Sequence, residues 1–437
     1  MRPGRGPREA PGRARGGTVL AALLLALPAG AGEFPVFDPA EVRLGQLLFY
    51  DPVLSGNREV ACATCHHPRF GTSDGVSLGL GDGGIGLGPE RRPDPGNLPE
   101  QRVPRNATAL FNLGFPEFRV MFHDGRLEED PGQPAGIRTP LGAEMVAGFD
   151  GVLAAQTMFP VLSPDEMAGH YGENEVSTAV RQGLLTGQDG AWARITARVA
   201  AIPDYRDGFA AIGAEPLRFT DIANALGAFI AVEWRADDSP YDRFLAGVPL
   251  PPEAEAGRQL FEGKAGCSAC HSGRFQTDHG FHAIAMPQIG PGKAARFESG
   301  FRDEGRQRVT GAAEDAYRFR TPSLRNVTAT APYGHDGAYA SLEAAIRHHL
   351  DPVGALMAYD LSRAVLPPLP GARDHMILTD PPETARIAAA NELAPVALSD
   401  AEVAQILAFL DSLSDPSAIA GRLGVPDSVP SGLAVPR

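Results

Sequence analysis

Few stretches of this chain alternate apolar and polar residues over five or more positions, so strand signals are poor. Helical spacing is clearer. Asp221–Glu233 reads as a largely apolar helix. Ser341–Leu350 places Leu342, Ile346 and His349 on one face, at i, i+4 and i+7, with His348 pointing elsewhere. Near the end, Ser399 and Glu402 form a capping-box pattern. The helix after them carries Val403, Ile406, Leu407 and Leu410 on one side. The 51 Gly and 40 Pro break the rest into loops and short helices. The pattern predicts a mainly α protein with many loops and little β.

The N-terminus has a different character. Arg2, Arg5, Arg8, Arg13 and Arg15 precede the apolar run Val19–Leu27 and the small residues Ala29-Gly30-Ala31. Residues 1–31 read as a secretory signal peptide cleaved after Ala31, too short in its apolar run for a comfortable span. No later segment approaches a transmembrane helix, so a soluble periplasmic protein with no membrane span is expected. The formal net charge is -14. Removing the leader leaves about -18, an acidic balance that argues against a nucleic-acid partner.

All four cysteines fall in two motifs, Cys62-Ala63-Thr64-Cys65-His66 and Cys267-Ser268-Ala269-Cys270-His271. C-x-x-C-H is the attachment pattern of haem c. Each thiol adds to a vinyl group, and the adjacent His reaches the iron as proximal ligand. Two disulfides would not explain a His after both pairs. A four-thiolate zinc site normally has its pairs much closer than the roughly 200 residues here. A thioredoxin-type site lacks its βαβ context.

The surroundings of the motifs match. Gly45-Gln46-Leu47-Leu48-Phe49 precedes the first and Gly257-Arg258-Gln259-Leu260-Phe261 the second. Arg69, Phe70, Thr72 and Gly75 follow at the same offsets as Arg274, Phe275, Thr277 and Gly280. Leu110-Phe111-Asn112 leads to His123-Asp124-Gly125, and Leu324-Arg325-Asn326 to His335-Asp336-Gly337. An internal duplication explains this: two cytochrome c-like helical haem domains, over 32–247 and 248–437, divided at the Pro-rich segment Val248–Pro252.

Each iron still has a sixth position to fill. In the second half His349 is the expected ligand, with His348 and Met357 as lesser candidates. In the first half neither His nor Met occurs between His67 and Asn106. The tract there, Gly79–Gly88, reads as a flexible surface loop. Beyond His123, Glu144 sits in an apolar stretch, where a carboxylate over an open haem face can shuttle a proton within bound peroxide. Met145 is the residue that could instead close that face.

These motifs together resemble the bacterial diheme cytochrome c peroxidases and their MauG-like relatives. The resemblance also rests on Arg105-Asn106, Phe122–Arg126, Thr139–Met145 and Arg320–Gly337. It implies a peroxidatic haem on His66, an electron-transfer haem on His271, and Glu144 as the catalytic glutamate. It implies a calcium ion held by Asn106, Thr330 and Pro332. Three positions depart from the family. His349 stands where Met, or Tyr in MauG-like members, is the ligand. No His lies near Leu98, where many family peroxidases carry a removable one. His123 stands where the family has its tryptophan between the haems, and an imidazole can bridge by hydrogen bonding but is a poorer hole-hopping group; Trp234, beside the domain junction, is the other candidate relay, with a core role the commoner one.

The expected function is reduction of hydrogen peroxide to water, with electrons from a small cytochrome c or cupredoxin. A MauG-like oxidase acting on a partner protein is the rival, and a non-catalytic electron-transfer cytochrome the third possibility.

Overall fold

The computed structural model describes residues 32–293 and 301–437, with Met1. The leader expected over 1–31 therefore lies, Met1 apart, outside the described residues. Helices dominate, and strands form only three small sheets among the described residues.

Two crossed helix pairs organise the chain. In the first half α1 (Pro39–Tyr50) crosses α2 (Phe219–Glu233). Asp38 caps α1 by accepting from Ala40 N–H at 2.8 Å, and Pro39 fits the first turn, which needs no N–H. The crossing requires Gly45, since a Cβ there would lie 1.8 Å from the carbonyl oxygen of Ala225. One turn on, Phe49 meets Phe229 with ring centroids 5.3 Å apart. In the second half α3 (Pro252–Glu262) crosses α5 (Asp400–Asp411) in the same way, with α4 (Leu342–Leu350) between them in sequence. A Cβ on Gly257 would lie 1.8 Å from Gln405 O, and Phe261 meets Phe409 at 5.1 Å.

Two asparagines repeat the parallel. Asn112 and Asn326 both adopt left-handed backbone, φ 62 and φ 60. Asn112 N–H donates to Trp234 O, and its Oδ1 accepts from Ala236 N–H. Asn326 N–H donates to Leu413 O, and its Oδ1 accepts from Asp415 N–H. Each asparagine thus ties its own loop to the end of the long closing helix.

Three expectations change. On α5 the capping box from Ser399 and Glu402 forms, but Phe409 rather than Leu407 completes the buried face with Val403, Ile406 and Leu410. The Gly79–Gly88 tract is no flexible surface loop: residues 79–83 are buried. The guanidinium of Arg91 gathers the carbonyls of Leu80, Gly81 and Gly86 around itself, which needs a backbone without side chains in the way. A Cβ on Gly81 would lie 2.1 Å from Asp165 O. Finally, the unit expected over 248–437 does not keep its last stretch. Beyond a short helix, α6 (Pro416–Ala420), the chain returns to the first half. There Glu233 accepts from the N–H groups of Leu423 and Gly424, and Ser431 Oγ donates to Asp51. Ala418 and Val429 join the first half's apolar core, where burying their surface contributes to holding this stretch there.

No helix among the described residues is long and apolar enough to cross a membrane.

Candidate functional site

All four cysteines are free thiols, so the chain does not use them as disulfides. Cys62 and Cys65 are partly buried, and the loss of water around them pushes both thiols up to about 12. Such thiols are neutral at ordinary pH and poor metal ligands.

The histidine after each pair is oriented by backbone. His66 Nδ1 lies 2.9 Å from Thr72 O, and His271 Nδ1 lies 3.1 Å from Gln276 O. A carbonyl can only accept, so each Nδ1 carries the proton and each Nε2 keeps its lone pair. That is how a metal-ligating imidazole is normally held. Burial keeps both rings below their usual value, His271 at about 4, so both are neutral and ready to coordinate.

The two histidines differ in what faces them. For His66 the effect of burial is opposed by the backbone carbonyls of Thr72 and Thr108. For His271, the second-largest influence after burial is His349. His349 Nδ1 donates to Ala345 O at 2.8 Å, one turn back on α4, which leaves its Nε2 bare as well. Its neighbour His348 is fully buried rather than turned away, but both nitrogens are engaged, by Tyr339 Oη at 3.0 Å and Ile284 O at 2.8 Å. Helical spacing alone could not show that, because the space beside α4 is apolar in two directions. Met357, the other candidate, is 59% exposed.

Past Asn112 the chain forms a small hairpin sheet, β1 (Val120–Met121), β2 (Leu127–Glu129) and β3 (Ile137–Arg138). Its first turn carries His123. Burial holds the His123 imidazole far below its usual value, with Arg105, His335 and Arg320 adding to the shift and Asp124 opposing it. His335 itself stacks on Phe319, 3.8 Å between centroids and 14° between planes. Below the hairpin runs a buried ion network. Arg105 contacts Asp124 at 2.9 Å and Asp303 at 2.6 Å, and Arg126 also pairs with Asp124. These cations hold Asp124 and Asp303 ionised, far below the usual carboxylate range. Sequence reading missed Asp303 and Arg306 entirely, since nothing in their local pattern points at a loop nearly 180 residues upstream.

Glu144 lies beyond β3 in a short turn, Gly142–Glu144. It is exposed, not set among apolar groups: the turn sends Met145 into the core and the carboxylate outward. Trp234 is fully buried against Phe49 and Phe229, at 5.0 and 5.3 Å, which makes it a core residue.

Of the three groups implied for calcium, Asn106 donates from Nδ2 to Val76 O at 2.8 Å, which turns its Oδ1 away from that contact. The carbonyl oxygens of Thr330 and Pro332 accept no hydrogen bond among the described residues. Oxygen donors of this kind suit a hard cation.

The residues fit haem. Two pairs of free, partly buried thiols each stand beside a histidine with a bare Nε2. Among the described residues Arg320 supplies a cation with no carboxylate against it, held down to about 10 by burial. A haem propionate would provide the missing anion. Two such attachment units define a c-type cytochrome of the two-haem kind. The family described as di-haem cytochrome c peroxidase matches residues 39–249. The chain is 30% identical to the methylamine utilization protein MauG of Paracoccus denitrificans over 432 residues, 91% of this chain and 94% of that protein. It is 29% identical to cytochrome c551 peroxidase of Pseudomonas aeruginosa, over 70% of each. A crystal structure of a MauG-like protein associated with microbial copper homeostasis superposes with a TM-score of 0.59 at 26% identity, covering 91% of this chain and 97% of that one. The chain belongs to the di-haem cytochrome c peroxidase and MauG family, and is an oxidoreductase of that family.

Proposed function

We propose that this chain is a periplasmic peroxidase that reduces hydrogen peroxide to water, drawing electrons from a small redox protein such as a cytochrome c or cupredoxin. One observation carries it: a second imidazole with a bare nitrogen, His349, acts on His271, whereas the groups that act on the His66 ring are the backbone carbonyls of Thr72 and Thr108. An iron held between two histidines has no room for peroxide and can only pass electrons, while an iron with one protein ligand can bind substrate.

Haem held at the two attachment units would supply the redox-active iron. The protein does the rest. Cys62 and Cys65 anchor one group and Cys267 and Cys270 the other. Thr72 O and Gln276 O fix the ring orientation of the two proximal histidines. Glu144, exposed on its turn, would be the carboxylate that takes up and returns a proton during peroxide cleavage. His123 stands at the seam between the halves, as a bridge from one unit to the other. Two electrons and two protons balance the cleavage of one peroxide to two waters.

The domain assignment follows the same lines. The paired glycine crossings, Phe–Phe contacts and left-handed asparagines support two copies of one haem-binding unit, the first over 32–247 and the second from 248. Asn106, Thr330 and Pro332 would hold calcium where the two halves meet, since Asn106 N–H donates to His335 O across that boundary.

The rival is a MauG-like oxidase, which spends the oxidising power of peroxide on a residue of a partner protein. His349 in place of a sulfur ligand favours it, because a second imidazole lowers the potential of that iron and makes it a poorer acceptor from ordinary donors. Mixing the holoprotein with reduced small cytochrome c and peroxide separates the two. Sustained turnover, two cytochromes oxidised per peroxide, is the expected result. Peroxide consumed once per enzyme, with the cytochrome left reduced, would contradict the peroxidase and support the oxidase.

A further inference from the structure

Four consecutive carbonyls of the His123 loop are held from the opposite half of the chain. The Nε of Arg320 donates to Phe122 O at 3.2 Å, and its backbone N–H to His123 O at 2.7 Å. Arg306 Nη1 donates to Asp124 O at 3.3 Å and to Gly125 O at 2.8 Å. The other nitrogen of Arg306 pairs with Glu128 on β2 at 2.9 Å, and its guanidinium lies 4.3 Å over the Phe281 ring. The loop is built to receive it: a Cβ on Gly125 would lie 2.4 Å from Arg306 Nη1 and 2.4 Å from that ring. Phe122 sits at φ 64, a left-handed conformation that a bulky residue adopts only where surroundings impose it. Donation from a guanidinium is charge-assisted and stronger than a neutral bond, so the two arginines are strong enough to impose it.

We propose that Arg306 and Arg320 are positioning residues: through them the C-terminal half fixes where His123 stands between the two attachment units. This rests on the proposed function, in which an electron passes from the second unit to the first. A relay group contributes only if its placement is held within a fraction of an ångström, and here the half that delivers the electron also sets that placement. The loop therefore needs no separate ordering step when the halves are docked.

Arg306→Gln in the two-haem protein tests it with two readouts. Amide hydrogen exchange in the peptide spanning 119–129 should quicken at least about tenfold, with protection elsewhere and haem content unchanged. Electron passage from the second haem to the first, followed by absorbance after peroxide meets half-reduced protein, should slow about tenfold with the KM for peroxide unaltered. Arg306→Lys keeps the charge but offers a single nitrogen in place of the fork, and should recover part of both. Wild-type exchange in the loop, or a loosened loop with undiminished electron passage, would overturn the assignment. Where the Gln variant fails to take up haem, the Lys variant decides alone: a partial shift in both readouts supports the clamp, and no shift in either refutes it. Wild-type protein that passes no electron after peroxide would instead count against the proposed function, and the exchange readout would still judge the clamp.

Discussion

His349→Ala is expected to convert the second iron from low-spin to high-spin while both haems stay attached. The reason is geometric. The Nδ1 of His349 is committed to Ala345 O, so its Nε2 is the nitrogen free to bind, and it lies close enough to His271 to depress that ring. The neighbouring imidazole cannot replace it, because His348 uses both nitrogens in hydrogen bonds. Met357 is out of reach on the surface. Attachment should survive, since the thioethers come from Cys267 and Cys270 and the proximal bond from His271. Peroxide turnover should collapse with the spin change, as the iron meant to relay electrons becomes a second open site. Visible and EPR spectra of the variant check this; an unaltered low-spin signal would mean that some other side chain ligates.

The second large effect belongs to Glu144. Glu144→Gln should lower the rate of peroxide cleavage by about 100-fold, the usual worth of a positioned proton-transfer group, with haem content and resting spectra intact. Gln keeps the size and hydrogen-bonding reach of the side chain but cannot take a proton. The exposed position of Glu144, on a turn whose apolar partner Met145 points inward, leaves the carboxylate free to work and contributes little to the core. The variant should therefore fold as well as its parent. Stopped-flow mixing with peroxide measures the effect directly, and an unchanged rate would remove Glu144 from the mechanism.

How far the sequence carried depends on whether the relevant physics is local. Attachment chemistry is written in five residues, so both haem motifs were visible, and their repeated flanks pointed to paired units. The choice of His349 followed from a helix period, and its free Nε2 is consistent with that choice. Helical period misjudged His348, because a residue one step round α4 also meets buried surface. The glycine tract misled for a similar reason. Glycine clusters usually signal mobility, but here Gly81 and its neighbours admit the Arg91 guanidinium, ten residues on, and the Asp165 carbonyl from far along the chain. The return of residues 416–437 to the first core, and the grip of Arg306 on the His123 loop, are tertiary facts with no periodic signature. Backbone oxygens such as those of Thr330 and Pro332 leave no trace in composition at all, and were reached only through the family resemblance.

The most direct measurement is an EPR spectrum of the fully oxidised protein. Two distinct ferric signals are expected: one high-spin, from the haem on Cys62 and Cys65, and one low-spin with the g values of paired imidazoles, from the haem on Cys267 and Cys270. Two low-spin signals would mean that the N-terminal iron is already capped by the protein, and that peroxide has nowhere to bind in the resting state.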